Sequence, residues 1–367
     1  MSQEQLEELM DQAEDLPASP TKVAILEQAV NLSDSLGDLE QSYAIRQDLI
    51  EAAVFGGVDD RALVAFAWCI AQSDKDPERF PESDLLWSFK WILGTISSFP
   101  GVSLQRIHQM EDDYQDRLKR CGHGLGAVYK LKMLNASSTG HFERRDKYEA
   151  LWRKAPSDDM DDCEACELDS QVKYLNSKGE YKAALKAAKP ILSGKLRCST
   201  VPERTYSEVI FAELALGNLD KAQEAFEKGY RQVAGDPDYI STICWHLGYL
   251  IRAQDFSKGT RLIERHLPWV CRTSNFEQRM WFFSHTGDFF ERLASRKPRA
   301  KRFRIPETLA IHNAEELYEP ATLAHWFQSQ AVEIAQRFDT RNGNDFISSC
   351  LVANRALTFG TESSESS

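Results

Sequence analysis

At 367 residues, 42% hydrophobic and 27% charged, the chain has the composition of a folded protein rather than a disordered one. A net charge of −12 disfavours general attraction to a nucleic-acid backbone, and no apolar run approaches the roughly 20 residues that span a bilayer. The opening Met1, Gln3, Glu4, Gln5, Glu7 and Glu8 lacks the basic and apolar regions of a secretory signal. Membranes are therefore set aside as partners, nucleic acid is disfavoured, and a cytoplasmic location is expected.

The first segment, Ser2 to Leu16, places Leu6, Leu9 and Met10 among acids as an amphipathic helix does, and Pro17 and Pro20 end it. From Thr21 to Leu36 helical spacing continues through Val23, Leu26, Ala29 and Val30. Gly37-Asp38-Leu39 then breaks the pattern and restarts it through Tyr43, Ile45, Leu49 and Ile50. Further helices are predicted over about Asp59 to Gln72 and Ser83 to Ser97, the latter stopped by Phe99-Pro100-Gly101. Trp87 and Trp91, four apart on that helix, read as core rather than as a ligand groove.

A charged helix, Ser103 to Arg120, precedes a short apolar one, Leu125 to Ala136. Between them, Cys121-Gly122-His123-Gly124-Leu125-Gly126 offers a glycine-rich turn whose amides face an anion in some folds. A helix precedes it where nucleotide-binding folds place a strand, and no Lys-Ser or Lys-Thr pair follows, so an inter-helix turn is expected. After Trp152 comes an acidic linker, Ser157 to Asp162.

From about Cys163 to Trp269 one pattern recurs. Gly179, Tyr181, Ala184 and Ala188 are matched by Gly217, Leu219, Ala222 and Phe226, then by Gln254, Phe256, Gly259 and Ile263; the first members lie 38 and 37 residues apart (217 − 179 and 254 − 217). Gly140 and Phe142 extend the register backwards by 39 (179 − 140), although Arg145 stands at the small-residue position. A period near 40 with alternating helices and no strand runs predicts an all-α helix-turn-helix repeat solenoid with irregular N- and C-terminal helices. The small residue allows close approach of the paired helices, and the residue two after the glycine seals the turn. Ser274 to Ala294 is a further aromatic-rich helix, with Trp281, Phe282 and Phe283 read as core, and a final pair is predicted over about Leu323 to Phe338 and Asp345 to Leu357. The organisation expected is 1–162 helical with degenerate repeats, 163–270 clear repeats, 271–360 C-terminal helices and 361–367 a disordered tail.

With Gly179 taken as the fifteenth repeat position, Leu168, Val172 and Leu175 occupy the apolar sites of one first helix, Tyr206 and Ile210 those of the next, and Ile243, Leu247 and Leu250 those of the third. In this the chain resembles tetratricopeptide repeat proteins, in a divergent form whose period exceeds the standard of about 34. The run Phe338-Asp339-Thr340-Arg341-Asn342-Gly343, the paired cysteines and Gly229-Tyr230-Arg231 also resemble a group of uncharacterised bacterial repeat proteins, which implies no activity. Helix termination by Asn342-Gly343 explains that run better than a functional Asp339 and Arg341 pair does.

The resemblance implies a concave surface made by the first helices, with Lys173, Arg204 and Phe211 as the contact residues for a protein or peptide. The surface lacks the Lys, Asn and Arg clamp by which chaperone-binding repeats hold a C-terminal carboxylate. Cys163 and Cys166 form a C-x-x-C at the start of one repeat and Cys198 precedes the next, on the same edge. Three thiols converging there, with His246, or Cys244 or His266, as the fourth ligand, would suit a structural zinc ion; the competing reading is plain buried or untouched thiols, with no cofactor. Six cations, Arg296, Lys297, Arg299, Lys301, Arg302 and Arg304, fall within nine residues. They read as a solvated inter-helix loop, or, in an alternative reading, as the contact of a regulatory protein with nucleic acid or an acidic partner. No H-E-x-x-H pair and no nucleophile elbow is present, so the leading expectation is a scaffold and not an enzyme. A metal-dependent enzyme on the cysteine and histidine edge is a third reading.

Overall fold

The computed structural model describes residues 2–360. The tail expected over 361–367 lies outside the described residues. The protein is 74% helical and has an all-α helical-repeat fold. No helix among the described residues is long and apolar enough to cross a membrane. The chain divides into two compact units, Met1–Asp161 with Thr273–Asn275, and Asp162–Arg272 with Phe276–Ser367.

The first unit contains α1(Gln3–Glu14), α2(Pro20–Leu36), α3(Leu39–Phe55), α4(Asp59–Lys75), α5(Leu86–Thr95), α6(Leu104–Arg120), α7(Gly126–Ser138) and α8(Phe142–Trp152). Local chemistry fixes its boundaries. Ser2 and Gln5 form a reciprocal capping box on α1, and Ser19 caps α2 with Pro20 at the first helical position. Gly37 closes α2 in the left-handed conformation at φ 77°, and the Asp38 side chain accepts from the Gln41 N–H to open α3. The helix expected over Ser83 to Ser97 is α5 flanked by single 3₁₀ turns, Glu82–Leu85 and Ile96–Ser98, where the chain tightens between Pro81 and Pro100. Leu26, Ile45, Ile50, Phe66, Phe89, Ile92, Tyr114 and Leu118 form the core.

The second unit contains α9(Glu164–Ser177), α10(Tyr181–Leu192), α11(Thr205–Ala215), α12(Leu219–Val233), α13(Ile240–Arg252), α14(Phe256–Arg272), α15(Phe276–Arg296), α16(Pro320–Asn342) and α17(Phe346–Phe359). Its three repeat turns agree bond for bond. Gly179, Gly217 and Gln254 are all left-handed, at φ 73°, 76° and 53°. Their N–H groups donate to the carbonyls of Asn176, Leu214 and Ile251, and the next N–H in each turn, from Glu180, Asn218 and Asp255, donates to Leu175, Glu213 and Leu250. Tyr181, Leu219 and Phe256 are each the first residue of the second helix. Gly140, at φ 76°, makes the same turn in the first unit: the His141 N–H reaches Ala136 and Phe142 begins α8.

The small-residue position also behaves as its spacing implies. Ala184 and Ala222 are fully buried, and a Cβ added to Gly259 would stand 2.2 Å from the Phe289 ring. Along the stack, first helices meet first helices, α9 on α11, α11 on α13 and α13 on α15. The last pair is long, α15 against α16, and α17 folds back to touch α15, α13 and α11. Asp339 accepts from the Ile347 and Ser348 N–H groups and so caps α17, while Gly343 ends α16 at φ 69°. The basic loop is more ordered than a plain inter-helix connection. Lys301–Arg302 (β1) pairs antiparallel with Leu317–Tyr318 (β2), Phe303 and Ile305 are buried, and Arg304 binds Glu264 through its backbone N–H and two guanidinium nitrogens.

Candidate functional site: the first-helix face and the thiol cluster

In the second unit polar side chains tie α9 to α11, and one ion pair reaches on from the start of α11 to the 3₁₀ turn Pro237–Tyr239 that precedes α13. Buried Asp169 accepts from Thr205 Oγ1 at 2.6 Å and faces Lys173 Nζ at 3.6 Å. Asn176 Nδ2 donates to both the carbonyl and the carboxylate of Glu208, at 3.1 and 2.9 Å. Burial pushes the Glu208 carboxyl above its usual range, against the opposing pull of Lys173 and Asn176. Arg204 spans to Asp238 at 3.0 Å, which makes it a tie between repeats as much as an open contact.

Phe211 belongs to a run of rings that crosses these repeats. Tyr181 meets it edge-on at 5.7 Å between centroids, Trp245 at 4.7 Å, and His285 follows Trp245 at 5.1 Å. Tyr181, Phe211 and Trp245 are all half-buried, whereas His285 is buried. Gly248 makes room for the far end of the run, since a Cβ there would lie 3.1 Å from Trp245 and 3.2 Å from His285 Nε2. Sequence reading found Phe211 through the register. It missed Tyr181, Trp245 and Glu208, although the helix-starting aromatic and the Trp one position beyond Cys244 were both visible.

The same end of the face is closed by α17. Arg355 binds Asp288 at 3.0 Å and also Glu291, both on α15, and burial lifts the Asp288 carboxyl to about 6. The Phe359 carbonyl, at the negative end of α17, accepts from Arg252 at 2.8 Å and Arg292 at 3.1 Å. On the second-helix side, a groove between α12 and α14 is lined by Phe226, Tyr230, Arg231, Lys258, Arg261 and Arg265 among others.

The three cysteines come together as the register implied. Cys163 is the N-cap residue of α9, Cys166 sits in its first turn, and Cys198 lies in the connection to α11; the three sulfurs lie within 4.8 Å of one another. Cys166 and Cys198 approach to 3.3 Å, and the Thr200 N–H donates to Cys198 Sγ at 3.4 Å. Burial pushes the Cys166 thiol up. Burial acts on Cys198 as well, but hydrogen bonds from the Thr200 N–H and from Cys166 outweigh it and hold that thiol below its ordinary value. Ala165, Ile191 and Val201 wall the cluster.

His246 is not part of this group. It points to the second-helix side, fully buried between Phe226 and Tyr230 at 5.6 and 5.7 Å, and burial lowers its imidazole to about 3. His266 shares Tyr230, whose hydroxyl lies 2.9 Å from its Nε2. Cys244 is buried and its thiol turns back to the Ile240 carbonyl of its own helix.

The glycine-rich turn holds an anion from its own chain. The Gly124 N–H donates to Asp158 Oδ2 at 2.9 Å, and His123 Nδ1 lies 2.8 Å from Asp159. The acidic linker is therefore docked against the turn. Of the basic stretch, Arg296, Lys297, Arg299 and Arg302 are exposed, Lys301 is half-buried in β1, and Arg304 is paired as described. No protein-family model matches the chain, and no curated protein is similar to it in sequence.

Proposed function

We propose that the chain is a helical-repeat scaffold, related to tetratricopeptide repeat proteins, that holds a protein or peptide segment against the first-helix face of its second unit. The observation that carries this reading is the half-exposed aromatic run Tyr181, Phe211 and Trp245. Rigid rings left open to solvent across successive repeats offer a large apolar contact at little entropic cost, and such rings dominate binding energy in protein interfaces. Half-buried Lys173 and Glu208, on the same first helices, supply polar contacts to a bound segment, while buried Asn176 is spent on Glu208. Arg204 contributes by holding two repeats in register through Asp238. The eight free thiols suit a reducing compartment such as the cytoplasm.

The test is site-specific photo-crosslinking in cells that make the protein. A crosslinker at Phe211 is expected to capture a defined partner, and one at Lys221, exposed on α12, is not. Replacing Phe211 and Trp245 together by Ala should weaken that partner's binding about tenfold or more. Equal capture at both positions, or binding unmoved by the double substitution, would overturn the reading.

A further inference from the structure

We propose that Cys163, Cys166 and Cys198 hold one zinc ion through three thiolates and leave its fourth position open to a ligand from outside the chain. The donor set is the first argument. A disulfide would engage two of these sulfurs and give no reason for the third, whereas a metal ion uses all three. Zinc–sulfur bonds of about 2.3 Å in a tetrahedron place sulfurs about 3.8 Å apart. The cluster, with Cys166 and Cys198 at 3.3 Å and all three within 4.8 Å, is within a small side-chain adjustment of that arrangement.

Fixed backbone dipoles offset part of the burial that disfavours anionic sulfur at Cys166. Cys163 and Cys166 stand at the N-terminus of α9, where backbone N–H groups and the helix dipole stabilise negative charge. Cys198 receives the N–H of the residue two further on, Thr200. On binding, the thiol protons pass to solvent and three thiolates outweigh the ion's two positive charges, so the complex carries a net negative charge beside that helix end. Ala165, Ile191 and Val201 shield one side from water. Cys163 is exposed, and among the described residues no fourth His, Cys or carboxylate joins the group, so the remaining vertex faces outward. The ion would clip the start of α9 to the connection between α10 and α11, fastening one repeat to the next. None of this depends on the aromatic face binding a partner.

The full-length chain, purified in reductant without chelator, is expected to carry one zinc per molecule. Cobalt titration of the stripped protein should give the intense thiolate-to-metal and d–d absorption of a tetrahedral sulfur site, which zinc then abolishes. Cys163→Ser, on an exposed side chain, should leave the circular dichroism and the zinc-free melting temperature unchanged. It should abolish the zinc-dependent rise in melting temperature and weaken zinc binding by more than the roughly 10–100-fold that loss of an outer-shell hydrogen bond costs. Zinc below about a tenth of an equivalent together with no cobalt–thiolate spectrum would overturn the proposal. So would a Cys163→Ser chain that binds zinc as the parent does.

Discussion

The two units bury charge in opposite ways. The first encloses cations: Arg46, Lys90, Arg117, Lys130, Lys132 and Arg145 are all buried, while the second buries no Lys or Arg among its described residues. The cations of the first unit are held by a mesh of acceptors. Lys132 reaches Asp112 at 2.7 Å, Arg117 reaches Asp74, Asp113 and Glu82, Lys90 donates to the Met160 carbonyl, and buried Glu111 binds Arg144 and Asn135. The second unit instead buries neutral imidazoles, His246, His266 and His285, among aromatic rings. A paired buried charge fails when its partner is removed, and a buried neutral imidazole fails when it is forced to take a proton.

Acid should therefore separate the units first. Burial lowers His246 and His266 to about 3 and His285 to about 4, against an ordinary value near 6.5 in the unfolded chain. Between those values the unfolded state binds more protons, so stability is full above about pH 6.5 and falls as pH drops towards the folded values. At pH 5 the histidine loss, reduced by the opposite contribution of Asp288, whose raised carboxyl takes up a proton in the folded state, is on the order of a few kcal/mol in the second unit. Peptide-resolved hydrogen exchange from pH 7 to 5 should show α13 to α15 losing protection before α2 to α4. In the first unit, the Arg46 hydrogen bonds hold Asp34, and those of Arg120 hold Glu82, below the usual carboxylate range; their contribution is retained to lower pH and lost only as those groups protonate. Equal loss of protection in both units would break the comparison.

Next in size is Glu111→Ala, which leaves Arg144 and Asn135 without their buried acceptor and should cost about 3 kcal/mol in urea unfolding of the first unit. Gly259→Ala does comparable damage by steric means, forcing the Phe289 ring aside at a cost of about 1–3 kcal/mol confined to the second unit. The smallest effect has the opposite sign. Gln254 holds a left-handed conformation that glycine occupies in the two sister turns, so Gln254→Gly should stabilise the second unit by roughly 0.5–1 kcal/mol, read as a shift in urea midpoint.

What the sequence reveals here is what short-range rules govern. The glycine, the aromatic two residues later and the small residue after it specify a turn and a close helix pair, and even Gln254 was found by spacing alone. The convergence of Cys163, Cys166 and Cys198 was legible for the same reason, since a repeat register converts sequence distance into position along an edge. Helical register gives His246 a position along the stack but not the side to which its buried ring turns. The return of α17 onto α13 and α11, the pairing of β1 with β2 and the capture of Asp158 by the Gly124 amide join residues distant in sequence. No periodicity announces such contacts. The aromatic run was half visible: Phe211 lay on the register, but its neighbours became a surface only when three helices were laid side by side.

The agreement of the repeat turns has a bearing on how such a chain tolerates genetic change. Because Gly179, Gly217 and Gln254 share the left-handed conformation and the same two backbone bonds, these turns are interchangeable as joints between helix pairs. A crossover that joins one turn to the equivalent place in another deletes or adds a whole helix pair and leaves the geometry at the junction as it was.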